Sequence, residues 1–271
     1  MYPKLFQIGP IPVYSYGLML GIAFLVGNWL FGKELKRNGY DENTGVIIVF
    51  LALFGGIVGA KLFYFIEQWN FGSFASLMHY FTFEEMFSAS GLTFYGGLVM
   101  SIVLIIIYCK VKKLSVLRIF DMMSPGTILG YGIARIGCHL AGDGDYGMPI
   151  PQGSFWSFLA MSYEKGTYPT PPGVVVHPTP LYEFAAAFLI FLFLMKIRKN
   201  YNVPGTLFAI YLILAGLERF LVEIIRTNPR IILELSQAQI ISVAMIIGGI
   251  FLYMKNKPKE EELKKTAFAN T

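Results

Sequence analysis

The sequence is short of charge. Only 14% of its 271 residues are Asp, Glu, Lys or Arg, against about 25% in soluble domains. With a mean hydropathy of +0.57, that scarcity argues against a water-soluble globule. Cysteine is nearly absent as well, and two residues, Cys109 and Cys138, make no disulfide framework. The three histidines, His79, His139 and His177, lack the spacing of two histidines four apart on a helix, so no metal site is expected. There is no Gly-x-Ser-x-Gly elbow and no Gly-rich phosphate loop ending in Lys-Ser/Thr. No basic stripe interleaved with aromatics is present, which excludes a nucleic-acid reader. A cleaved secretory signal is not expected either: a single Lys4 precedes the first apolar run and no small-residue cleavage site follows it.

What the chain does have is apolar runs. They lie near 13–32, 45–66, 92–109, 119–140, 179–197, 204–225 and 237–254, each close to the roughly 20 residues that carry a helix across a bilayer. The expected fold is therefore an all-α integral membrane protein, a single polytopic domain over 1–271 with about seven transmembrane helices. Alternate connections carry Lys33, Lys36 and Arg37, then Lys110, Lys112, Lys113 and Arg118, then Lys196, Arg198 and Lys199, and finally five lysines from Lys255 to Lys265. These are 15 of the 22 basic residues. The positive-inside rule makes that side cytoplasmic, with the amino terminus outside and the carboxyl terminus inside. The pI near 9.0 thus reports topology and affinity for anionic lipid. The outer connections, 67–91 and 141–178, are long. Residues 141–178 hold six of the fourteen prolines and are expected to form a small outer head, with Trp156, Tyr163 and Tyr168 at headgroup level. Residues 255–271 read as a frayed, solvated cytoplasmic tail.

Ionisable residues inside spans cost about 2.5–3.5 kcal/mol at a helix centre on insertion scales, so each needs a reason. They are Lys61, Arg135, Glu183, Glu218, Arg219, Glu223 and Arg226. In "GLERFLVEIIR", Arg219, Glu223 and Arg226 fall at i, i+4 and i+7 and share a face, while Glu218 lies about 100° away. One reading is a structural ladder in which Glu223 neutralises two arginines. The other is a positive surplus which, joined by Arg135, suits an anionic lipid headgroup, because guanidinium matches phosphate oxygens in bidentate fashion.

Shorter motifs have their own alternatives. Gly96 and Gly97 in "GLTFYGGLVM" serve close helix packing or close approach of a ligand. "HPTPLYE" opens the fifth span with helix-starting prolines, and His177 there is an interfacial hydrogen bonder. Tyr14 and Tyr16 in "YSYGLM" suit a headgroup belt, and Gln237 and Gln239 in "SQAQIIS" suit interhelical hydrogen bonding. Tyr16, Tyr95, Arg135, His139, His177, Arg226 and Gln239 all fall in the outer half of the membrane under this topology, which suggests a cavity opening outward and sideways into lipid. A Cys138–His139 nucleophilic dyad is disfavoured, since adjacent helical residues point about 100° apart.

In this order, "YSYGLM", "FYGGL", "ARIGCHLAGDGDYG", "HPTPLYE", "ERFLVEIIR" and "SQAQIIS" resemble the prolipoprotein diacylglyceryl transferase family over nearly the whole chain. That resemblance implies transfer of a diacylglyceryl group from phosphatidylglycerol to the lipobox cysteine thiol of a preprolipoprotein. The reaction takes place at the outer face of the bacterial inner membrane, with release of glycerol phosphate and without a cofactor. It implies that Arg135, Arg219, Glu223 and Tyr95 are catalytic. Tyr16, Gly96, Gly97, Cys138, His139, Asp143, Gly147, His177, Glu183, Arg226 and Gln239 are then expected to bind substrate; the sequence itself leaves the oligomeric state open, with a monomer favoured. The chain departs from the family at four places. Tyr95 stands for a histidine, Cys138 for an asparagine and Lys61 for an arginine, and the acidic position is Asp143, with one extra residue before Gly147. The alternatives are a related transferase with another lipid donor or acceptor, and a non-catalytic lipid-binding or transport protein. An inverted-repeat transporter would show internal symmetry, and the seven unlike runs show none.

Overall fold

A computed structural model describes residues 1–9, 11–68, 94–151, 153–232 and 234–269. Most of the expected 67–91 connection lies outside these residues, and so does the side chain of Tyr95. Among the described residues, a short hairpin, β1 (Lys4–Ile8) and β2 (Ile11–Tyr14), leads into seven α-helices. These are α1 (Ser15–Arg37), α2 (Asn43–Gln68), α3 (Phe94–Val111), α4 (Val116–Ala141), α5 (Thr179–Ile197), α6 (Thr206–Ile225) and α7 (Gln237–Ala269). A second small hairpin, β3 (Arg230–Ile232) with β4 (Leu235–Ser236), precedes α7.

The protein is therefore mostly helical, and α1, α2, α5 and α7 are long and apolar enough to cross a membrane. Helices α4 and α6 carry several charged side chains within their apolar runs, among them Arg135, Glu218, Arg219 and Glu223. Large apolar residues such as Phe50, Ile57, Leu189, Ile247 and Phe251 are exposed on helix faces, as a hydrocarbon surround requires.

The chain divides into two compact units, Gly32–Ile119 and the remainder, Met1–Phe31 with Phe120–Thr271. Within the first, α2 and α3 meet through glycines. A Cβ on Gly59 would come 2.4 Å from the Gly96 carbonyl oxygen, one on Gly96 would come 2.4 Å from Phe63 Cβ, and one on Gly97 would come 2.6 Å from the Gly56 oxygen. Ser101 Oγ donates to the Ala52 carbonyl across the same contact at 2.8 Å. Small residues let membrane helices pack backbone to backbone, and Gly96 and Gly97 pack against α2 in this way. Gly96→Leu is expected to cost at least the 1–3 kcal/mol typical of overpacking. The check is the thermal midpoint in detergent, and an unchanged midpoint would contradict this packing.

The second unit is built on α4, α5 and α6, whose core is Ile128, Ala187, Leu194, Leu207 and Ala215. The start of α6 is fixed by neighbours. The buried carboxylate of Asp121, on α4, accepts from the amides of Gly205 (2.7 Å) and Phe208 (2.8 Å), an anion placed on the positive end of a helix. The tail differs from expectation. Instead of fraying, residues 255–269 continue α7. Glu260 accepts from the Val203 amide at 2.5 Å, and Asn256 donates to the Pro204 carbonyl at 3.2 Å. Two buried polar anchors on one face thus hold the extension in place.

Candidate active site

Three elements and one loop of the second unit converge on a buried ionic network. On α4, Tyr131, Arg135 and His139 follow at spacings of four, so they share a stripe, with Cys138 beside them. Helix α5 brings in Glu183 within its first turns. Helix α6 contributes Arg219, Glu223 and, just past its end, Arg226. The loop after α4 supplies Asp143 and Asp145.

Glu183 is fully buried and is the centre of the network. Its Oε1 accepts from Arg219 Nη1 at 2.7 Å and from the Tyr131 hydroxyl at 2.8 Å, and lies 3.5 Å from Arg226 Nη1. Its Oε2 is 3.4 Å from Arg135 Nε. The Arg135 guanidinium also lies over the Tyr131 ring, 4.9 Å from the centroid. Glu223 meets Arg219 at 2.8 Å, and its other oxygen accepts from Asn228 at 2.7 Å. The helical spacing of Arg219, Glu223 and Arg226 is therefore realised as a connected face, with Arg226 Nε 3.9 Å from Glu223.

Asp145 completes the set. One of its oxygens accepts from Arg135 and the other from Arg226, while its backbone carbonyl accepts from the Thr179 hydroxyl. The expectation of a positive surplus is corrected here, because Glu183 and Asp145 bring three carboxylates against three arginines. The carboxylates are unequally accessible. The Asp145 side chain is 29% exposed, whereas those of Glu183 and Glu223 are fully covered. Burial by itself would raise the Asp145 pKa, but Arg226 and Arg135 outweigh it and hold the carboxyl below the ordinary range. At Asp143, burial and then the Asp145 charge push the carboxyl upward. Glu218, about 100° around α6 from that face, is buried, and its Oε1 has no hydrogen-bond partner among the described residues.

The remaining expected residues have defined places. Cys138 is buried, its Sγ 3.8 Å from Arg135 Nη1. His139 turns away from it, with Nδ1 2.8 Å from the Tyr163 hydroxyl, so the two form no dyad. Cys138, Asp143 and Asp145 could offer three ligand atoms within 4.8 Å of one another. Both Asp145 oxygens, however, are already bound by guanidiniums that would repel a metal cation. Gly147 pairs with Arg226 in an antiparallel bridge and donates its amide to the His177 carbonyl at 2.8 Å. A Cβ there would meet the Ile225 oxygen at 2.8 Å and Thr179 Cγ2 at 2.9 Å, so this glycine lets the loop lie between the start of α5 and the end of α6. His177 Nδ1 is 3.2 Å from the Tyr182 hydroxyl. Tyr16 is half-exposed at the start of α1, where Gly137 of α4 packs against its backbone.

Gln239 is bound locally. It accepts from the Ser236 amide at 3.0 Å while its own amide donates to Ser236 Oγ at 3.2 Å, a capping box at the start of α7. It also accepts from Arg230 at 2.6 Å. These bonds replace the expected interhelical ones. Sequence reasoning missed Tyr131 and Asp145 as members of the network. The spacing of Tyr131 to Arg135 could have revealed the first. Nothing in "GDGDYG" says which aspartate faces the arginines.

A sequence profile for prolipoprotein diacylglyceryl transferase matches residues 3–255. Curated relatives named phosphatidylglycerol–prolipoprotein diacylglyceryl transferase include one from Finegoldia magna, 34% identical over 93% of this chain and 94% of its own length. Others are from Clostridium tetani, 31% identical over 93% and 97%, and from Bacillus licheniformis, 31% identical over 97% and 95%. With nearly the whole length aligned on both sides, the chain belongs to the prolipoprotein diacylglyceryl transferase family.

Proposed function

We propose that the protein transfers the diacylglyceryl group of phosphatidylglycerol to the lipobox cysteine thiol of a preprolipoprotein, releasing glycerol phosphate. Family membership supports the reaction class. The observation that carries the reading to particular residues is the pair of guanidiniums, Arg135 and Arg226, sharing one partly exposed carboxylate at the rim of a buried network. That is a preformed site for an oxyanion with two free oxygens.

In the reaction a thiolate sulfur attacks the glycerol carbon bearing the phosphate ester. A C–S bond forms, the C–O bond breaks, and its electron pair leaves on the phosphate monoester. Charge grows on the phosphate, so Arg135 and Arg226 hold its oxygens while Arg135 and Arg219 stabilise the growing charge by preorganised electrostatics. Glu223, 2.8 Å from Arg219, orients that arginine, and Glu183 orients all three. Tyr16, Cys138, His139, Asp143, Gly147 and His177 line the approach of the two substrates. Gly96, Gly97 and Gln239 act by holding helices. Tyr95 takes the thiol proton as its phenolate, which at an ordinary pKa of about 10 requires positive charge nearby, and His139 or His177 is the substitute base. Tyr95→Phe is then expected to lower turnover at least tenfold with little change in KM, and full turnover would remove the phenol from proton transfer and bring His139 and His177 forward.

On this reading the protein sits in the bacterial inner membrane with seven spans, its amino terminus and the 141–178 head outside and its tail in the cytoplasm. It acts there on phosphatidylglycerol and preprolipoprotein signal peptides. The alternating basic connections support that orientation. The test incubates purified protein with labelled phosphatidylglycerol and a lipobox peptide. Label on the cysteine is expected. Label transferred only from another lipid, or to another acceptor, would instead support a related transferase, the reading favoured by Cys138 and Tyr95.

A further inference from the structure

We infer that Asp145 is an internal stand-in for the lipid phosphate, an exchangeable anion that holds Arg135 and Arg226 until substrate replaces it and then helps to expel the product. The inference rests on the proposed reaction for its biological meaning, but its geometry is independent of it. Each oxygen of one carboxylate takes a guanidinium, one from α4 and one from just past the end of α6, the arrangement two non-bridging phosphate oxygens would adopt.

Asp145 is also the member of the network best placed to leave. Its side chain is 29% exposed, while Glu183 and Glu223 are sealed in. Its backbone does not need to travel, because its carbonyl is held by Thr179 and Gly147 is bridged to Arg226. Gly144 precedes it at a φ of +90°, a conformation glycine adopts without cost. Rotation of the Asp145 side chain therefore suffices to free both arginines.

The charges fit such an exchange. A phosphodiester carries one negative charge, as Asp145 does, so swapping them leaves the network neutral. Cleavage turns the phosphate into a monoester that can carry a second charge and is held more tightly. A competing carboxylate beside it then speeds release. Without that competitor the site should keep its product.

The experiment measures binding of glycerol phosphate and of inorganic phosphate to the detergent-solubilised full-length protein, wild type against Asp145→Asn and Asp145→Ser, with thermal midpoints recorded alongside. Both anions are expected to bind the variants about tenfold more tightly, a usual size for coupling between ligands. In the transfer assay, glycerol phosphate should become a correspondingly stronger inhibitor. Folded variants that bind both anions no better than wild type would overturn the inference. So would variants that fail to fold, since Asp145 would then be a structural strut, or a gain confined to glycerol phosphate. Binding is read without turnover, so a wild type inactive on phosphatidylglycerol would sink the proposed reaction and leave the Asp145 result to be judged by itself.

Discussion

Arg135→Ala is expected to abolish lipid transfer, by at least the 10²–10³-fold that follows loss of one preorganised donor to a developing oxyanion. The protein should remain folded and membrane-inserted. The structure explains why activity and folding separate at this residue. Arg135 is 18% exposed in its side chain and contributes one guanidinium edge to Asp145 and one to Glu183. Without it, Glu183 still accepts from Arg219 and Tyr131 and still faces Arg226, so no buried carboxylate is stranded. Arg135→Lys keeps the charge and loses the planar two-edged donor, and should recover little of the rate. The measurements are the initial rate of label transfer to a lipobox peptide and membrane yield. Full activity of the alanine variant would remove Arg135 from the phosphate.

Glu183→Ala is expected to fail at an earlier stage, in folding. Its carboxylate is fully buried, and three guanidiniums lie within 3.5 Å of it. Removing one partner from a buried ion network typically costs 3–5 kcal/mol, because the remaining charges are left uncompensated. That is a large part of the 5–15 kcal/mol that holds an ordinary domain together. Glu183→Gln can still accept from Arg219 and Tyr131 but leaves three arginines against two carboxylates. Combining it with Arg226→Gln restores neutrality and should recover part of the lost thermal midpoint. A midpoint for Glu183→Ala equal to wild type would show that the network is not held by its centre.

The helices were legible because their signal is composition over long runs, and each observed helix coincides with an apolar run read from the chain. The α6 face was legible because Arg219, Glu223 and Arg226 obey the 3.6-residue period, and Arg219 meets Glu223 as that period requires. What escaped has no period. Asp143 and Asp145 sit two apart among glycines, and only the way the loop lies over Gly147 decides which reaches the arginines. The tail escaped for another reason. Its Lys and Glu composition suggests solvent, and the two buried residues that anchor it, Asn256 and Glu260, are visible only once the Val203–Thr206 turn is in place.

Asp121 precedes Arg135 on α4 by fourteen residues, and Gly205, whose amide it binds, precedes Arg219 on α6 by fourteen. The two helices therefore leave a common contact and arrive together at Glu183, each about 21 Å along at helical rise. They behave as matched rulers. A one-residue insertion in either would swing its arginine about 100° around the axis and about 1.5 Å out of step with the other. Length between those two contacts is thus constrained in each helix separately, because a matched pair of insertions would restore the axial step but leave both arginines turned about 100° from Glu183.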